Sequence, residues 1–157
     1  MKIAIYPGSF DPITKGHLDV LKTACEIFDK VIIAVSRNSQ KSSFLSIEER
    51  VELIKASVLH LPNVEVDSFE GLTVEYAKSK SAKILLRGLR AVSDFEYEMQ
   101  LSQTNSSLSE NIKTLFLTTR PKYNFISSST VKDIYLLGGD ISKFVPEPVN
   151  EYLLRKK

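Results

Sequence analysis

Short apolar runs recur along this chain, and between them apolar residues fall at helical spacing. Lys2-Ile3-Ala4-Ile5-Tyr6 and Lys30-Val31-Ile32-Ile33-Ala34-Val35 are β-branched and too short for helices, so they predict strands around a helix near residues 16–28. Ser46-Ile47-Glu48-Glu49 has the form of a capping box, in which the serine oxygen takes the N3 amide and Glu49 reaches back; it opens a helix to about Leu59. Asn63 to Ser68 and Lys83 to Leu86 predict strands around a helix near 72–80. A helix from about Ser93 to Ser107 and a strand near 112–117 follow. Ser127 to Thr130 begin another helix, closed by Gly138-Gly139 as a C-cap, and Pro146 to Pro148 start the last.

Such alternation predicts an α/β fold: a doubly wound, Rossmann-like parallel sheet with right-handed crossovers and helices on both faces. With no repeats or linkers, residues 1–157 read as one domain. Ligands of such sheets sit at the carboxyl ends of the strands, which directs attention to the turns starting at Pro7, Ser36, Ser68, Arg87 and Thr118.

Composition mainly removes possibilities. At 43% apolar and 25% charged residues the chain is globular rather than disordered, and a net charge of +2 does not suggest a nucleic-acid partner. The longest clean apolar runs, such as Val31 to Val35, fall far short of the roughly 20 residues a membrane span needs. The residues before Pro7-Gly8 cannot form a signal peptide, so the expected location is cytoplasmic. One cysteine (Cys25) and two histidines (His17, His60) cannot form an internal disulfide or a Cys/His zinc cage. Any metal would be held by oxygens, phosphates included.

The first turn, Pro7-Gly8-Ser9-Phe10-Asp11-Pro12-Ile13-Thr14-Lys15-Gly16-His17, matches neither a Walker A loop nor Gly-x-Gly-x-x-Gly. Gly8 nevertheless permits a tight turn beside a ligand, Pro12 stiffens the loop, and Gly16-His17 places an imidazole in the first turn of a helix. In isolation His17 reads as a plain polar residue there, and His60, in His60-Leu61-Pro62, as a surface or capping residue.

Thr14-Lys15-Gly16-His17 and Ile126-Ser127-Ser128-Ser129-Thr130 resemble the two signature motifs of the Thr-x-Gly-His nucleotidyltransferases, in the expected order and spacing. Tyr6 to Pro12 and the block Arg87-Gly88-Leu89-Arg90-Ala91-Val92-Ser93-Asp94-Phe95-Glu96-Tyr97-Glu98-Met99-Gln100 resemble the phosphopantetheine adenylyltransferase branch, of bacterial type, and the likeness covers nearly the whole chain. The resemblance implies transfer of the adenylyl group of ATP to 4′-phosphopantetheine with Mg²⁺, giving dephospho-coenzyme A and pyrophosphate, the penultimate step of coenzyme A synthesis. The substrate supplies its own nucleophile, so the protein needs positioning and positive charge rather than a triad. It further implies a homohexamer and feedback inhibition by coenzyme A.

Residue roles follow by motif position. His17 would donate to the α-phosphate, Lys41 would contact the attacking phosphate, and Arg90 would serve ATP, these three forming the catalytic set. Ser9, Phe10, Gly88, Leu89, Glu98, Tyr123, Asn124, Phe125, Ile126, Ser127, Ser128 and Ser129 join His17 and Arg90 around the nucleotide; Ser9, Lys41, Thr73 and Arg87 would hold phosphopantetheine. Read alone, Lys41 is a solvated loop lysine, Thr73 a helix N-cap, Ser127 to Ser129 plain capping, and Glu98 a helix-surface carboxylate with no obvious partner. Many relatives carry Thr at the place of Ser9 and Trp near Tyr123, departures that bear on nucleotide contacts rather than on the fold. The competing readings are another superfamily member, such as nicotinamide-mononucleotide adenylyltransferase or glycerol-phosphate cytidylyltransferase, and a non-catalytic nucleotide or coenzyme A sensor. The second motif, Tyr123-Asn124-Phe125-Ile126-Ser127-Ser128-Ser129, departs from the cytidylyltransferase pattern Arg-Thr-x-Gly-Ile-Ser-Thr.

Overall fold

Strand and helix alternate along the chain as the sequence predicts. The computed structural model describes residues 1–37, 43–93 and 95–157. Its elements are β1 (Ile3–Gly8), α1 (Lys15–Ile27), β2 (Lys30–Ser36), α2 (Ile47–Ser57), β3 (Val64–Phe69), α3 (Thr73–Ser79), β4 (Ile84–Leu89), α4 (Phe95–Leu108), β5 (Lys113–Thr118), α5 (Ser128–Leu136) and α6 (Glu147–Lys156), with a 3₁₀ turn at Pro121–Tyr123. Every strand pairing is parallel, in the order β3-β2-β1-β4-β5. The chain therefore builds outward from β1 to β3 and then crosses to the other side of β1, which makes the β1/β4 junction the topological switch point.

Both sheet faces are covered because successive strand residues point to opposite sides. Ala4, Tyr6, Val31, Ile33, Val35 and Leu86 join the larger core with α1, α2, α5 and α6; Ile5, Ile32, Ala34 and Leu85 join the smaller one with Val74 and Ala77 of α3. The predicted caps are realised. Ser46 and Glu49 form the reciprocal box at 3.1 and 2.8 Å. Gly138, at φ +85°, ends α5 with bonds from Gly138 N–H to the Tyr135 carbonyl and from Gly139 N–H to the Ile134 carbonyl, the Schellman pattern. Among the described residues no helix is long and apolar enough to cross a membrane.

The strands run further than their apolar stretches suggest. β4 continues through Arg87, Gly88 and Leu89, because its ladder with β5 holds to the Leu89–Thr118 pair, so the turn starts at Arg90 and not at Arg87. β1 stays paired with β2 to Gly8–Val35 but with β4 only at Ala4–Ile84 and Ile5–Leu85. Beyond Ile5 come Pro7, which has no amide hydrogen to donate, and Gly8. The two central strands part there, and the parting opens the crevice in which the candidate site lies.

Candidate active site

Two adjoining clefts meet at the parted strand ends, sharing Pro7, Gly8, Ser9 and Arg87 as common wall. The first, of about 270 Å³, adds Tyr6, Phe10, His17, Gly88, Arg90, Ser93, Glu98, Ser128 and Ser129. The second, of about 230 Å³, runs between α3 and α4 and adds Ser36, Phe69, Thr73, Tyr97, Leu101 and Asn105, among others.

His17 is held by its own helix start. Thr14, fully buried, is the N-cap of α1: its Oγ1 accepts the His17 backbone N–H at 3.3 Å, and its own backbone N–H donates to His17 Nδ1 at 3.0 Å. This is a capping box in which an imidazole replaces the usual Glu or Gln at N3. Because Nδ1 accepts, the neutral ring carries its proton on Nε2. Burial, reinforced by the Arg90 and Arg87 guanidinium charges, pushes the His17 pKa down to about 3. The imidazole is thus a neutral N–H donor near pH 7, packed edge-on against Phe10 at 4.9 Å between ring centroids.

Arg87 bridges the strand gap. Its Nη1 donates to the Pro7 carbonyl at 3.2 Å, while Nε and Nη2 grip Glu98 Oε1 and Oε2 at 2.7 and 2.8 Å. Glu98 is consequently not an unpartnered surface carboxylate, as it reads alone: it is 8% exposed, because the first turn of α4 turns it onto β4. Arg90 anchors the second motif by donating from Nη1 to the Ile126 carbonyl, and its backbone N–H is taken by Ser93 Oγ at 3.0 Å. Gly88 must be small, since a Cβ there would stand 2.9 Å from Val20 Cγ2.

The three serines of the second motif divide their work. Ser127 is a cap, as its isolated reading allows, its Oγ accepting the Thr130 N–H at 3.1 Å. Ser128 Oγ donates to the Pro12 carbonyl at 2.7 Å, tying α5 to the first loop, and both Ser128 and Ser129 line the larger cleft. Tyr123, Asn124, Phe125, Ile126, Ser127 and Leu89 are not among the residues lining these two clefts. Asn124 Oδ1 takes the Ala91 N–H at 2.8 Å, Tyr123 lies beneath the Arg120 and Lys122 cations, Ile126 is buried and Phe125 is 57% exposed. Thr73 is the first residue of α3 and not its N-cap; that place falls to Leu72, which makes no side-chain cap bond. Lys41 lies outside the described residues. His60 is exposed in the turn after α2.

Several braces lack any local signal in the sequence. Asp11 accepts the Phe44 and Leu45 amides at 2.7 and 2.8 Å, and buried Arg50 bonds the Leu45 and Ser9 carbonyls at 3.0 Å each. Asp19, two residues after His17, accepts both the backbone N–H and Nε of Arg120 at 2.8 Å. These contacts fasten the Ser9 loop and the loop after β5.

A donor-rich cleft at a switch point, joined to a second cleft of mixed polar and apolar lining, has room for an anionic ligand beside a longer one. Comparison with known proteins agrees. Residues 5–134 match the cytidylyltransferase-like family. A phosphopantetheine adenylyltransferase from Cyanothece sp. is 55% identical over 94% of this chain and 87% of its own, and one from Lachnoclostridium phytofermentans is 53% identical over 99% and 96%. This chain belongs to the phosphopantetheine adenylyltransferase family. The fold of that family recurs in a solved Vibrio parahaemolyticus protein, provisionally named a nicotinate-nucleotide adenylyltransferase, with a TM-score of 0.76 at 22% identity over 99% of this chain and 93% of its own.

Proposed function

We propose that this protein transfers the adenylyl group of ATP to 4′-phosphopantetheine, releasing pyrophosphate and forming dephospho-coenzyme A, in the cytoplasm. The observation that carries the reading is the neutral, Nε2-protonated His17 beside Arg90 in a cleft that opens into a second one along α4. The family relatives support phosphopantetheine as the acceptor over the nicotinamide-mononucleotide and sensor readings.

In the proposed step an oxygen of the acceptor's phosphate bonds to the α-phosphorus as the bridging α–β P–O bond breaks and pyrophosphate leaves with the electron pair. His17 Nε2–H meets the charge that builds on the α-phosphate oxygens, and a neutral donor needs no proton transfer to act. Arg90 adds positive charge from its anchored position, and Ser129 and the first amides of α5 offer donors to the remaining phosphates. Arg87, between the clefts, would orient the acceptor phosphate, with Lys41 as a second cation and Thr73 along the arm. Among the described residues no three His, Cys, Asp or Glu side chains gather to hold a metal. Mg²⁺ would arrive on the ATP phosphates, keeping most of its waters, and would neutralise their charge.

Pyrophosphate release with ATP and Mg²⁺, run in parallel with 4′-phosphopantetheine, nicotinamide mononucleotide and no acceptor, tests the reading. Release with phosphopantetheine alone is expected; release with nicotinamide mononucleotide would move the acceptor, and silence with all three would favour the sensor. A homohexamer and inhibition by coenzyme A belong to the same proposal. Sedimentation and the same assay with added coenzyme A test them.

A further inference from the structure

The floor of the larger cleft holds a polar group that no element of the fold uses. Tyr6 is 4% exposed, its ring packed edge-on against Phe10 at 5.3 Å and facing His17 at 6.4 Å between centroids. Among the described residues its hydroxyl has no hydrogen-bond partner, and no side-chain oxygen or nitrogen is both sealed from solvent and unpartnered, so this hydroxyl reaches the cleft. Its position agrees: it lies 3.6 Å from where a Cβ on Gly88 would stand, at the gap where β1 and β4 part. Neither neighbouring guanidinium bonds it: Arg87 reaches Glu98 and the Pro7 carbonyl, and Arg90 reaches the Ile126 carbonyl.

A hydroxyl that faces the cleft with no protein partner is free to exchange water for a ligand acceptor, and a hydrogen bond to a charged phosphate oxygen is stronger than a neutral one. We infer that Tyr6 is a substrate-contacting residue, its hydroxyl donating to a nonbridging phosphate oxygen of the nucleotide alongside His17 Nε2–H. The inference rests on the adenylyltransferase reading of this cleft. Burial raises the phenol's pKa to about 12, against the lowering effect of Arg90 and Arg87, so the group remains an O–H donor wherever the enzyme works. The floor of the cleft then supplies two neutral donors on adjoining rings, one from β1 and one from α1. The absence of a side chain at Gly88 keeps the space above the phenol open.

Tyr6→Phe tests this, since it removes one oxygen and keeps the ring contacts with Phe10 and His17. Pyrophosphate-release kinetics with ATP and 4′-phosphopantetheine should show kcat/KM for ATP lowered about tenfold or more, the usual scale for a lost donor to a charged group, with KM for phosphopantetheine within about twofold. Binding of a nonhydrolysable ATP analogue, followed by calorimetry on the same two proteins, should weaken as well, and the Tm should not fall. Equal ATP kinetics and equal analogue binding would overturn the inference, as would a defect confined to phosphopantetheine. A wild-type protein that binds the analogue but turns nothing over would defeat the adenylyltransferase reading alone, because the binding comparison still reports on Tyr6. A wild type that does not bind the analogue would defeat both.

Discussion

The walls of the His17 cleft are cross-braced, whereas the cleft along α4 leans on a helix flank that is largely open. Around His17, the Thr14 box, the Arg90–Ile126 bond, the Ser128–Pro12 bond and the Arg87–Glu98 fork each tie one element to another or fix a side chain's direction. Along α4, Glu98 is the one buried residue; Tyr97 is 55% exposed, and α3 opposite begins without a side-chain cap. The difference fits the tasks. Stabilising charge that exists only in a transition state requires donors whose orientation is already fixed, because reorganisation at the moment of reaction would consume the benefit. Holding a flexible arm requires contact area and tolerates adjustment. Removing the His17 donor from the braced cleft should therefore act on kcat, and substitutions in the open one on the acceptor's KM.

The largest effect should come from His17→Ala. Turnover is expected to fall at least about 100-fold, with ATP affinity nearly unchanged, as pyrophosphate release and calorimetry would show. A near-normal rate would remove the centre of the braced cleft from the chemistry. The pH dependence sharpens the point. With a pKa near 3, His17 should contribute no ionisation to the rate profile between pH 5 and 8. Its folded pKa lies below the ordinary 6.5 of an unfolded histidine, so the unfolded chain binds the proton more readily. The stability linked to His17 is then present above about pH 6.5 and is lost as pH falls toward 3, a loss that His17→Ala should abolish in urea titrations.

Next in size is Glu98→Ala, which acts where the two clefts meet. Removing the carboxylate strands the Arg87 guanidinium, whose side chain is only 25% exposed, and breaking such a pair costs about 3 kcal/mol. For a chain of this length that is a Tm drop of about 6–12 °C. Arg87 also forms the shared wall, so KM for both substrates should rise, unlike in any variant confined to one cleft. A change in only one KM would show that the junction does not couple them. Leu101→Ala, on the open wall, should raise KM for phosphopantetheine several-fold with kcat within about twofold. A large loss of kcat there would erase the distinction between the clefts.

Much of this arrangement is legible in the sequence, and what is missed follows a rule. The alternating strands and helices, the Ser46 box and the Gly138-Gly139 cap depend on neighbours within five residues, so local pattern reveals them. The place of His17 at the start of α1 is equally local, and so is its bond with Thr14, three residues away, which the pattern does not announce because the expected partner at that position is Glu or Gln. Arg87 and Glu98 are eleven residues apart, on a strand and a helix whose mutual approach no periodicity encodes; Asp19 and Arg120 are separated by 101. The strands outrun their apolar pattern because the ladder continues through Pro7-Gly8 and Arg87-Gly88, where the apolar residues stop but the hydrogen bonds do not. The polar ends of these strands are where the clefts lie, so the positions least strand-like in composition are those the crevice uses.

The smallest effect should come from the far end of the helix that opens onto the braced cleft. α5 presents Ser128 and Ser129 at its start and closes at Gly138, whose φ of +85° an L-residue adopts with difficulty. A Cβ there would meet nothing within 4 Å, so the cost of Gly138→Ala is purely conformational, about 1 kcal/mol, or about 2–4 °C in Tm. The start of α5 is fixed independently of that cap, by the Ser128–Pro12 bond, the Ser127 cap and the Arg90–Ile126 bond. Kinetic constants for both substrates should therefore match the wild type while the melting curve shifts. If kcat falls along with Tm, the bracing is not local to the cleft, and the rigidity attributed to those three bonds depends on the whole of α5.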